Sequence, residues 1–285
     1  MTRDRRGFTL IEILIVAVLG LLVVLSAGQI LITNRQTYTA QTATVSGQQT
    51  TRMAVEVLFA ELREVSPSGG DILAMSSDSI RVRLMRKFSI VCQPDITGSA
   101  PVMTVIKDFL LNSGDTLYIM GGSNGFAVGD SVFVYADNDP NIDRDDAWIS
   151  ASISSIDSAS VVCPQDGDAG LNLTFGSQMT AFTNDSVHVG APVRSYQDFT
   201  FGTTTMLGDV YLGRRTGTGD MIPVAGPLRD RDGLAFVYRD AMGDVTATPA
   251  DVAQIEVTVR TGSEVLNSLG EMVSDSVLVW IHTRN

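Results

Sequence analysis

The strongest pattern in the chain is a nearly unbroken apolar run over residues 8–32, interrupted by one charged residue, Glu12. A helix of these 25 residues is about 37 Å long, enough to cross the roughly 30 Å hydrocarbon core of a bilayer. Arg3, Arg5 and Arg6 precede the run, and positive residues favour the cytoplasmic side of a membrane. The pattern therefore predicts a single transmembrane helix, with the rest of the chain outside the cytoplasm.

The helical pattern continues beyond the apolar run into an amphipathic half, which we predict over residues 33–66. No proline occurs before Pro67, and the stretch "SPSGG" at 66–70 is typical of a helix end. We therefore expect one continuous helix from Phe8 to about Val65. Its second half has apolar residues at helical spacing on one face, which we expect to pack on a soluble domain: Ala54, Leu58, Leu62 and Val65.

Residues 71–285 carry a succession of short β patterns, such as "SIRVRLM" at 79–85 and "SVFVYA" at 131–136, separated by Gly, Asp, Asn and Ser. The acidic residues are 25 Asp and 7 Glu, and no Glu lies between Glu64 and Glu256. Asp favours turns, whereas Glu favours helices. The pattern predicts an α+β protein in which the long helix is followed by a globular domain of antiparallel sheets.

The net charge of the chain limits the classes of partner that it can bind. The formal net charge is −12 at pH 7, so the chain on average repels a phosphate backbone and we expect no nucleic acid partner. The densest basic stretch is "RVRLMRK" at 81–87. Two interpretations remain open for this stretch: a contact with DNA or another surface, or a solvated strand face that offsets the acidic bulk.

An apolar run near the N-terminus can represent several kinds of segment, and Glu12 helps to distinguish between them. A secretory signal peptide has a shorter apolar core and a small-residue cleavage site, and a lipoprotein signal needs a cysteine where Gln29 stands. A plain transmembrane anchor fits the length, but a carboxylate at the centre of such a helix costs of order 2.5–3.5 kcal/mol. None of these three segments explains the acidic residue.

The stretch Gly7-Phe8-Thr9-Leu10-Ile11-Glu12, preceded by a short basic leader, resembles the cleavage site of type IV pilins and of the pseudopilins of type II secretion. The resemblance implies that residues 1–7 are a leader, that prepilin peptidase cuts after Gly7, and that Phe8 becomes an N-methylated N-terminus. Glu12 is then the fifth residue of the mature chain. Because a carboxylate in an apolar medium needs a positive partner, the N-terminal ammonium of a neighbouring subunit fits that role and sets the register of assembly.

Two later parts of the chain extend the resemblance. Both parts are similar to PilW-type minor pilins and J-type minor pseudopilins. One is the helix end "FAELREVS", and the other begins at "VYLGRR" and continues through "GPLRDRDGLAFVYRD". The similarity covers about residues 1–90 and 190–285. It implies the pilin fold, a long N-terminal helix packed on an antiparallel β-sheet domain, with residues 110–185 as an inserted β-rich region.

The resemblance implies a minor pilin or pseudopilin, a structural subunit and not an enzyme, that primes or caps a type IV pilus or type II secretion pseudopilus. It implies prepilin peptidase, other major and minor pilins or pseudopilins, and the inner membrane as partners. The expected location is the bacterial inner membrane, with the C-terminal domain outside the cytoplasm, and then the filament tip. The alternative is a single-span inner-membrane protein that presents a β domain for ligand or surface binding and does not enter a filament.

The membrane half of the helix departs from the family in one respect. Many members have a proline there that helps the helix unwind during assembly, whereas this chain has Gly20 and Gly28. Gly weakens a helix by up to about 1 kcal/mol relative to Ala, which favours local melting. Close packing against a neighbouring helix is the other interpretation, and both remain open.

Two further candidate sites lie in the β-rich region. Cys92 and Cys163 are the only cysteines, and in an exported protein we expect them to form one disulfide; two buried free thiols are the alternative. An acidic stretch over 137–146 places oxygen ligands at alternating positions, which suits calcium, and a solvated acidic loop is the alternative. The candidate ligands are Asp137, Asp139, Asn141 and Asp143, and no other cofactor is expected.

Overall fold

The structure is a computed structural model that describes residues 10–95, 100–107, 109–111, 115–117, 126–137, 146–176, 187–266 and 270–284. Within these ranges one long α-helix is followed by antiparallel strands, which confirms the α+β class. The helix α1 is Leu10–Leu62, and the strands are β1 (Ile72–Met75), β2 (Ile80–Asp95), β3 (Val102–Ile106), β4 (Phe109–Leu111), β5 (Asp115–Leu117), β6 (Ser131–Ala136), β7 (Ala147–Asp157), β8 (Gly170–Phe175), β9 (Pro192–Met206), β10 (Asp209–Thr216), β11 (Ile222–Leu228), β12 (Leu234–Arg239), β13 (Gln254–Leu266) and β14 (Met272–His282).

Helix α1 is continuous for 53 residues and is about 80 Å long. It ends at Leu62, short of the predicted end at Val65, because the chain enters a tight turn. The Val65 N–H donates to the Leu62 carbonyl (3.3 Å), and the Ser66 N–H donates to the Asp71 carboxylate (3.0 Å). Pro67 follows and has no N–H with which to extend the helix.

The second half of α1 packs on the β domain through the predicted face. Ala54, Leu58, Leu62 and Val65 are all completely buried, and the helix lies against β11, β13 and β14. Each fully buried leucine contributes roughly 1.5–3 kcal/mol relative to an exposed one. The helical periodicity in the sequence therefore identified the contact face correctly.

Two sheets surround this half of the helix, and together with it they form what we call the body. One contains the first part of β2 with β1, β9, β10 and β11; the other is ordered β12–β13–β14. Strand β11 lies at a sheet edge, which accommodates its two prolines, Pro223 and Pro227. The largest completely buried side chains of the body core include Leu58, Leu62, Ile80, Phe201, Leu212 and Ile255.

A second core lies inside a closed barrel. Strands β2, β3, β8, β7, β6 and β9 pair in that order, every pair is antiparallel, and the pairing of β9 with β2 closes the ring. Alternate residues of these strands point into the ring, as in small barrels whose interiors are filled by side chains. The interior residues include Val91, Met103, Val134, Ile153, Leu173, Phe175 and Val193.

The barrel and the body share two long strands. Strand β2 pairs with β9 from Ile80, opposite Phe201, to Ile90, opposite Pro192. The body core contains Val82 from the first part of β2, whereas the barrel core contains Val91 from its second part. The barrel is thus a continuation of the body sheet, and its strands extend beyond both ends of the predicted insertion at 110–185.

A disulfide fastens the outside of the barrel. Val91 belongs to the barrel core, whereas its neighbour Cys92 does not and is bonded to Cys163 (S–S 2.09 Å). Cys163 lies in the connection between β7 and β8, which also donates a hydrogen bond from Gln165 Nε2 to the Cys92 carbonyl (2.7 Å). The bond therefore holds this connection against the outer side of β2.

Candidate functional site

The first half of α1 is an apolar surface that the rest of the described chain does not cover. Its most apolar window has a mean hydropathy of 2.9 and none of it is buried, so the helix is long and apolar enough to cross a membrane. Leu10 is 83% exposed and Ile32 is 61% exposed, at opposite ends of the apolar stretch. Such a continuous apolar surface needs a bilayer or neighbouring helices around it.

Glu12 lies in the first turn of α1 as the structure describes it, on this exposed apolar half. A carboxylate in the first turn of a helix interacts favourably with the partial positive charge of the helix N-terminus. Gly7 and Phe8, the predicted cleavage and methylation positions, lie outside the described residues. Their roles, and that of Glu12 in assembly, stay predictions.

Gly20 and Gly28 both lie inside the continuous helix. Apart from the chain neighbours and the backbone of the surrounding helical turns, no atom of the described chain comes within 4 Å of a Cβ placed at either position. The chain itself therefore gives no packing reason for glycine at these two sites. The two interpretations made from the sequence, unwinding and close approach of a neighbouring helix, both remain open.

The second half of α1 is fixed to the body by polar contacts as well as by its apolar face. The Thr51 hydroxyl donates to the Asp275 carboxylate of β14 (2.9 Å), and Thr51 is completely buried. At Gly47 the helix comes so close to β13 that a Cβ would lie 2.9 Å from Thr261 Oγ1. These contacts join the membrane-distal half of the helix to the β domain as one unit.

The basic stretch at 81–87 is largely neutralised by carboxylates of the same fold. Arg81 donates to Asp198 (2.8 Å), and Lys87 donates to Asp130 (2.7 Å). Of the other two cations, Arg86 is held by a carboxylate of α1, and Arg83 lies 3.8 Å from Asp198. This pairing agrees with a strand that offsets the acidic bulk, and it leaves little free positive charge there for DNA.

Arginines and aromatic rings alternate where the barrel meets the body. The Arg194 guanidinium lies 4.3 Å from the Trp148 ring centre and 5.3 Å from that of Phe133. The Arg83 guanidinium lies 5.1 Å from the Phe133 ring and 4.7 Å from the Tyr196 ring. Phe133 and Tyr196 themselves stack at 4.4 Å. We call these five residues the arginine–aromatic ladder.

A buried carboxylate lies beside the ladder. Asp71 is only 5% exposed, and burial raises its pKa, although its hydrogen bond from the Ser66 N–H and the nearby Arg194, Arg83 and Arg284 act in the opposite direction. Burial likewise lowers the pKa of Arg194, an effect that Asp71 partly offsets. The junction between barrel and body is thus an electrostatic cluster in a partly desolvated place.

The predicted calcium ligands are only partly described. Asp137 lies at the end of β6, and its backbone carbonyl oxygen is 2.9 Å from His188 Nε2. Asp139, Asn141 and Asp143 lie outside the described residues. Within the described ranges no three His, Cys, Asp or Glu side chains are grouped to hold a metal ion, and the calcium site stays a prediction.

Sequence reasoning missed the barrel and the ladder. The members of the ladder lie on β2, β6, β7 and β9, so no short spacing in the chain brings them together. The alternation of Leu171, Leu173 and Phe175 with polar residues is the one local signal of β8 in the sequence. It predicts a strand, but not the closure of a ring.

Comparisons with known proteins bear on the N-terminal segment. No curated protein and no solved structure matches the chain. Residues 2–28 match the family model of the prokaryotic N-terminal methylation motif, and the matched residues include Gly7, Phe8 and Glu12. The N-terminal segment is therefore a type IV pilin-like signal, of the kind that prepilin peptidase processes.

Proposed function

We propose that the chain is a minor pilin or minor pseudopilin, a structural subunit and not an enzyme, that primes or caps a type IV pilus or a type II secretion pseudopilus. The observation that carries this proposal is the combination of the methylation motif with the helix behind it. The apolar half of α1 has no cover from the rest of the described chain, and its other half is built into a β domain. This division suits a subunit whose helix joins other helices while its β domain makes the outer contacts.

In this function Glu12 selects the position of the subunit. Cleavage after Gly7 creates an ammonium group on Phe8, the first residue of the mature chain, and Glu12 is the fifth. A carboxylate in an apolar environment is strongly favoured to find a positive partner. An ammonium on an adjacent subunit meets this need in only one axial register, so the ion pair aligns the subunits as the helix leaves the bilayer.

The barrel supports a position at or near the tip. It adjoins the end of α1 that is remote from the membrane segment, because Glu61 in the last turns of α1 contacts Arg86 where β2 passes toward the barrel. The barrel therefore adds bulk at the membrane-distal end of the subunit. Such bulk is most easily accommodated at the end of a filament that emerges first, where no subunit lies beyond it.

The proposal is tested by locating the protein in the native host. Filaments sheared from the cells should contain the mature chain in small amounts relative to the major subunit, and a strain without prepilin peptidase should retain the precursor in the inner membrane. Retention in the membrane fraction of the normal strain, with none in sheared filaments, would instead support the alternative of a membrane-anchored β-domain protein.

A further inference from the structure

Strand β14 is an outer strand of the body, and no other described strand pairs with its free side. It pairs only with β13 and is eleven residues long. Its sequence, "MVSDSVLVWIH", contains no proline and no lysine. Proteins usually cover or interrupt such an edge, because its unpaired N–H and C=O groups recruit other chains.

Each of the other outer strands of the described sheets is short, interrupted or covered. Strand β1 has four residues, and β4 and β5 have three each. Strand β11 contains two prolines, which have no N–H to offer. Strand β12 is covered on its outer side, where the Phe236 N–H donates to the Ser77 carbonyl (2.8 Å) and the Thr246 N–H donates to the Tyr238 carbonyl (3.0 Å). Among the described outer strands, β14 is therefore the long one without protection.

The pairing with β13 shows which backbone groups of β14 face outward. The Thr283 N–H donates to the Ala253 carbonyl (3.1 Å), and the register has no shift from there down to residue 274. In an antiparallel ladder, the even-numbered residues of β14 then direct their N–H and C=O groups to the free side. In agreement, Arg260, which lies opposite Ser276, turns its carbonyl away from β14 to accept the Arg229 N–H (2.8 Å). The outward groups belong to Ser274, Ser276, Leu278, Trp280 and His282.

Exposed apolar side chains lie on the same strand. Leu278 is 45% exposed and Trp280 is 55% exposed. The side chains between them in sequence are half-buried, and among these Asp275 and Val279 face α1 and the body core. A strand added at the free side would pair with the outward backbone groups and place its own side chains beside Leu278 and Trp280.

Strand β14 runs alongside the second half of α1. Near the start of the strand, Asp275 accepts the Thr51 hydroxyl (2.9 Å), and just past its end the Arg284 N–H donates to the Val65 carbonyl (2.9 Å). The strand therefore runs in the same direction as the helix. In a filament of parallel helices, its free side faces sideways and not toward either end of the subunit.

We propose that the free side of β14 receives an extended segment of a different, adjacent subunit, which lengthens the β12–β13–β14 sheet by one strand. The contact rests on the proposed function, because it requires a neighbour in the filament. Antiparallel pairing of two copies of β14 would point their α1 helices in opposite directions, whereas two identical anchors cross a bilayer in the same direction. The segment that fits has apolar side chains at alternate positions, to cover Leu278 and Trp280, and no proline where an N–H must donate.

Proline substitutions separate the free side of β14 from its paired side. Ser276→Pro removes an outward N–H, Val277→Pro removes an N–H that faces β13, and Ser276→Ala keeps the backbone complete. We expect full-length Ser276→Pro to unfold at a denaturant concentration close to that of wild type, and Val277→Pro to unfold at a lower one. In the native host, Ser276→Pro should be depleted about tenfold from sheared filaments at equal cellular amounts of mature protein, whereas Ser276→Ala should not.

The amount of wild-type protein in the filaments separates this contact from the proposed function. If wild type is absent from sheared filaments, the proposed function fails and the contact with it. If wild type is present and folded Ser276→Pro is present in the same amount, the β14 contact alone is overturned.

A second variant decides the outcome if Ser276→Pro unfolds as easily as Val277→Pro. The double variant Leu278→Lys, Trp280→Lys keeps the whole backbone and adds the charges that protect natural sheet edges. Depletion of this folded variant from sheared filaments supports the β14 contact. An amount equal to that of wild type overturns it.

Photo-crosslinking identifies the occupant of the free side. The residue p-benzoylphenylalanine, introduced in place of Trp280, keeps an aromatic group at the exposed position. In assembled filaments we expect a crosslink to a subunit whose mass differs from that of this chain. A product that contains two copies of this chain, or adducts with lipid alone, would overturn the assignment to a different subunit.

Discussion

Glu61, in the last turns of α1, forms a two-point ion pair with Arg86 of β2, with N–O distances of 3.1 and 3.2 Å. Both side chains are about four-fifths buried, and the Arg86 guanidinium also lies 4.2 Å from the Phe199 ring. The pair joins the membrane-distal end of the helix to the strand that continues into the barrel.

Breaking this pair should destabilise the protein measurably. Glu61→Gln leaves Arg86 partly buried with a weaker acceptor, and we expect a loss of about 1–2 kcal/mol, between the values for exposed and fully buried pairs. The free energy of unfolding in denaturant measures this. Glu64→Gln, which disrupts the exposed contact with Arg63, should change it by less than about 0.5 kcal/mol; equal effects of the two variants would contradict the assignment.

Removing the disulfide should weaken the barrel. The bond between Cys92 and Cys163 closes a loop of 71 residues, which in the chain-entropy model stabilises the folded state by about 4 kcal/mol. The double variant to serine should therefore unfold at lower denaturant concentration than the oxidised wild type. Reduced wild type is the matched control and should unfold like the variant; an oxidised wild type no more stable than either would refute this account.

Asp71 should make stability depend on pH in an unusual direction. Burial raises the pKa of its carboxyl group above the unfolded value, so the folded state binds the proton more tightly than the unfolded state. The contribution of this carboxyl group to the stability of the folded state is therefore most favourable at low pH, and it is lost as pH rises through the raised pKa. The charged groups that face it are Glu64 and the arginines Arg83, Arg194 and Arg284.

Asp71→Asn removes this titration while keeping an oxygen for the Ser66 N–H. We expect the variant to be at least as stable as wild type at pH 7 and to lose its advantage at acidic pH, measured by thermal unfolding across the range. Asp209→Asn, at an exposed position, serves as the control. A variant that is less stable than wild type at pH 7 and regains wild-type stability at acidic pH would show that the arginines, and not burial, dominate at this carboxylate.

Glu12 should matter for assembly and not for processing. Because the carboxylate lies beyond the cut and faces an apolar environment, Glu12→Ala should leave cleavage after Gly7 intact. It should reduce filament initiation, because the N-terminal ammonium of the adjacent subunit loses its partner. The number of filaments per cell, with the amount of mature protein as the control, measures this; undiminished initiation would contradict the role assigned to Glu12.

The helix was predictable from the sequence because its signals are local. The apolar run, the helical spacing of Ala54, Leu58 and Leu62, and the turn residues before Gly70 each act within a few positions of the chain. The strand pattern likewise gave the α+β class. The methylation motif is also local, since Gly7, Phe8 and Glu12 lie within six consecutive positions, and the amino-acid sequence alone is enough to recognise it.

The barrel was not predictable because its closure depends on pairings between distant strands. The second part of β2, "RKFSIVCQPD", lacks a regular alternation, since a register shift occurs between Val91 and Gln93 where β3 replaces β9 as its partner. The prolines of β11 argue against a strand unless it lies at an edge. The stacking of Arg194 on Trp148 joins residues on different strands, and only the folded ring brings them together.

The central claim is that the chain is a pilin-type precursor, and the mass of its mature N-terminal peptide tests this most directly. Protein purified from the native host, with active prepilin peptidase, is digested and its N-terminal peptide is analysed by mass spectrometry. The account predicts a peptide that begins at Phe8 and carries one methyl group on its N-terminal amine. A peptide that retains residues 1–7, or an unmethylated N-terminus at another position, would contradict it.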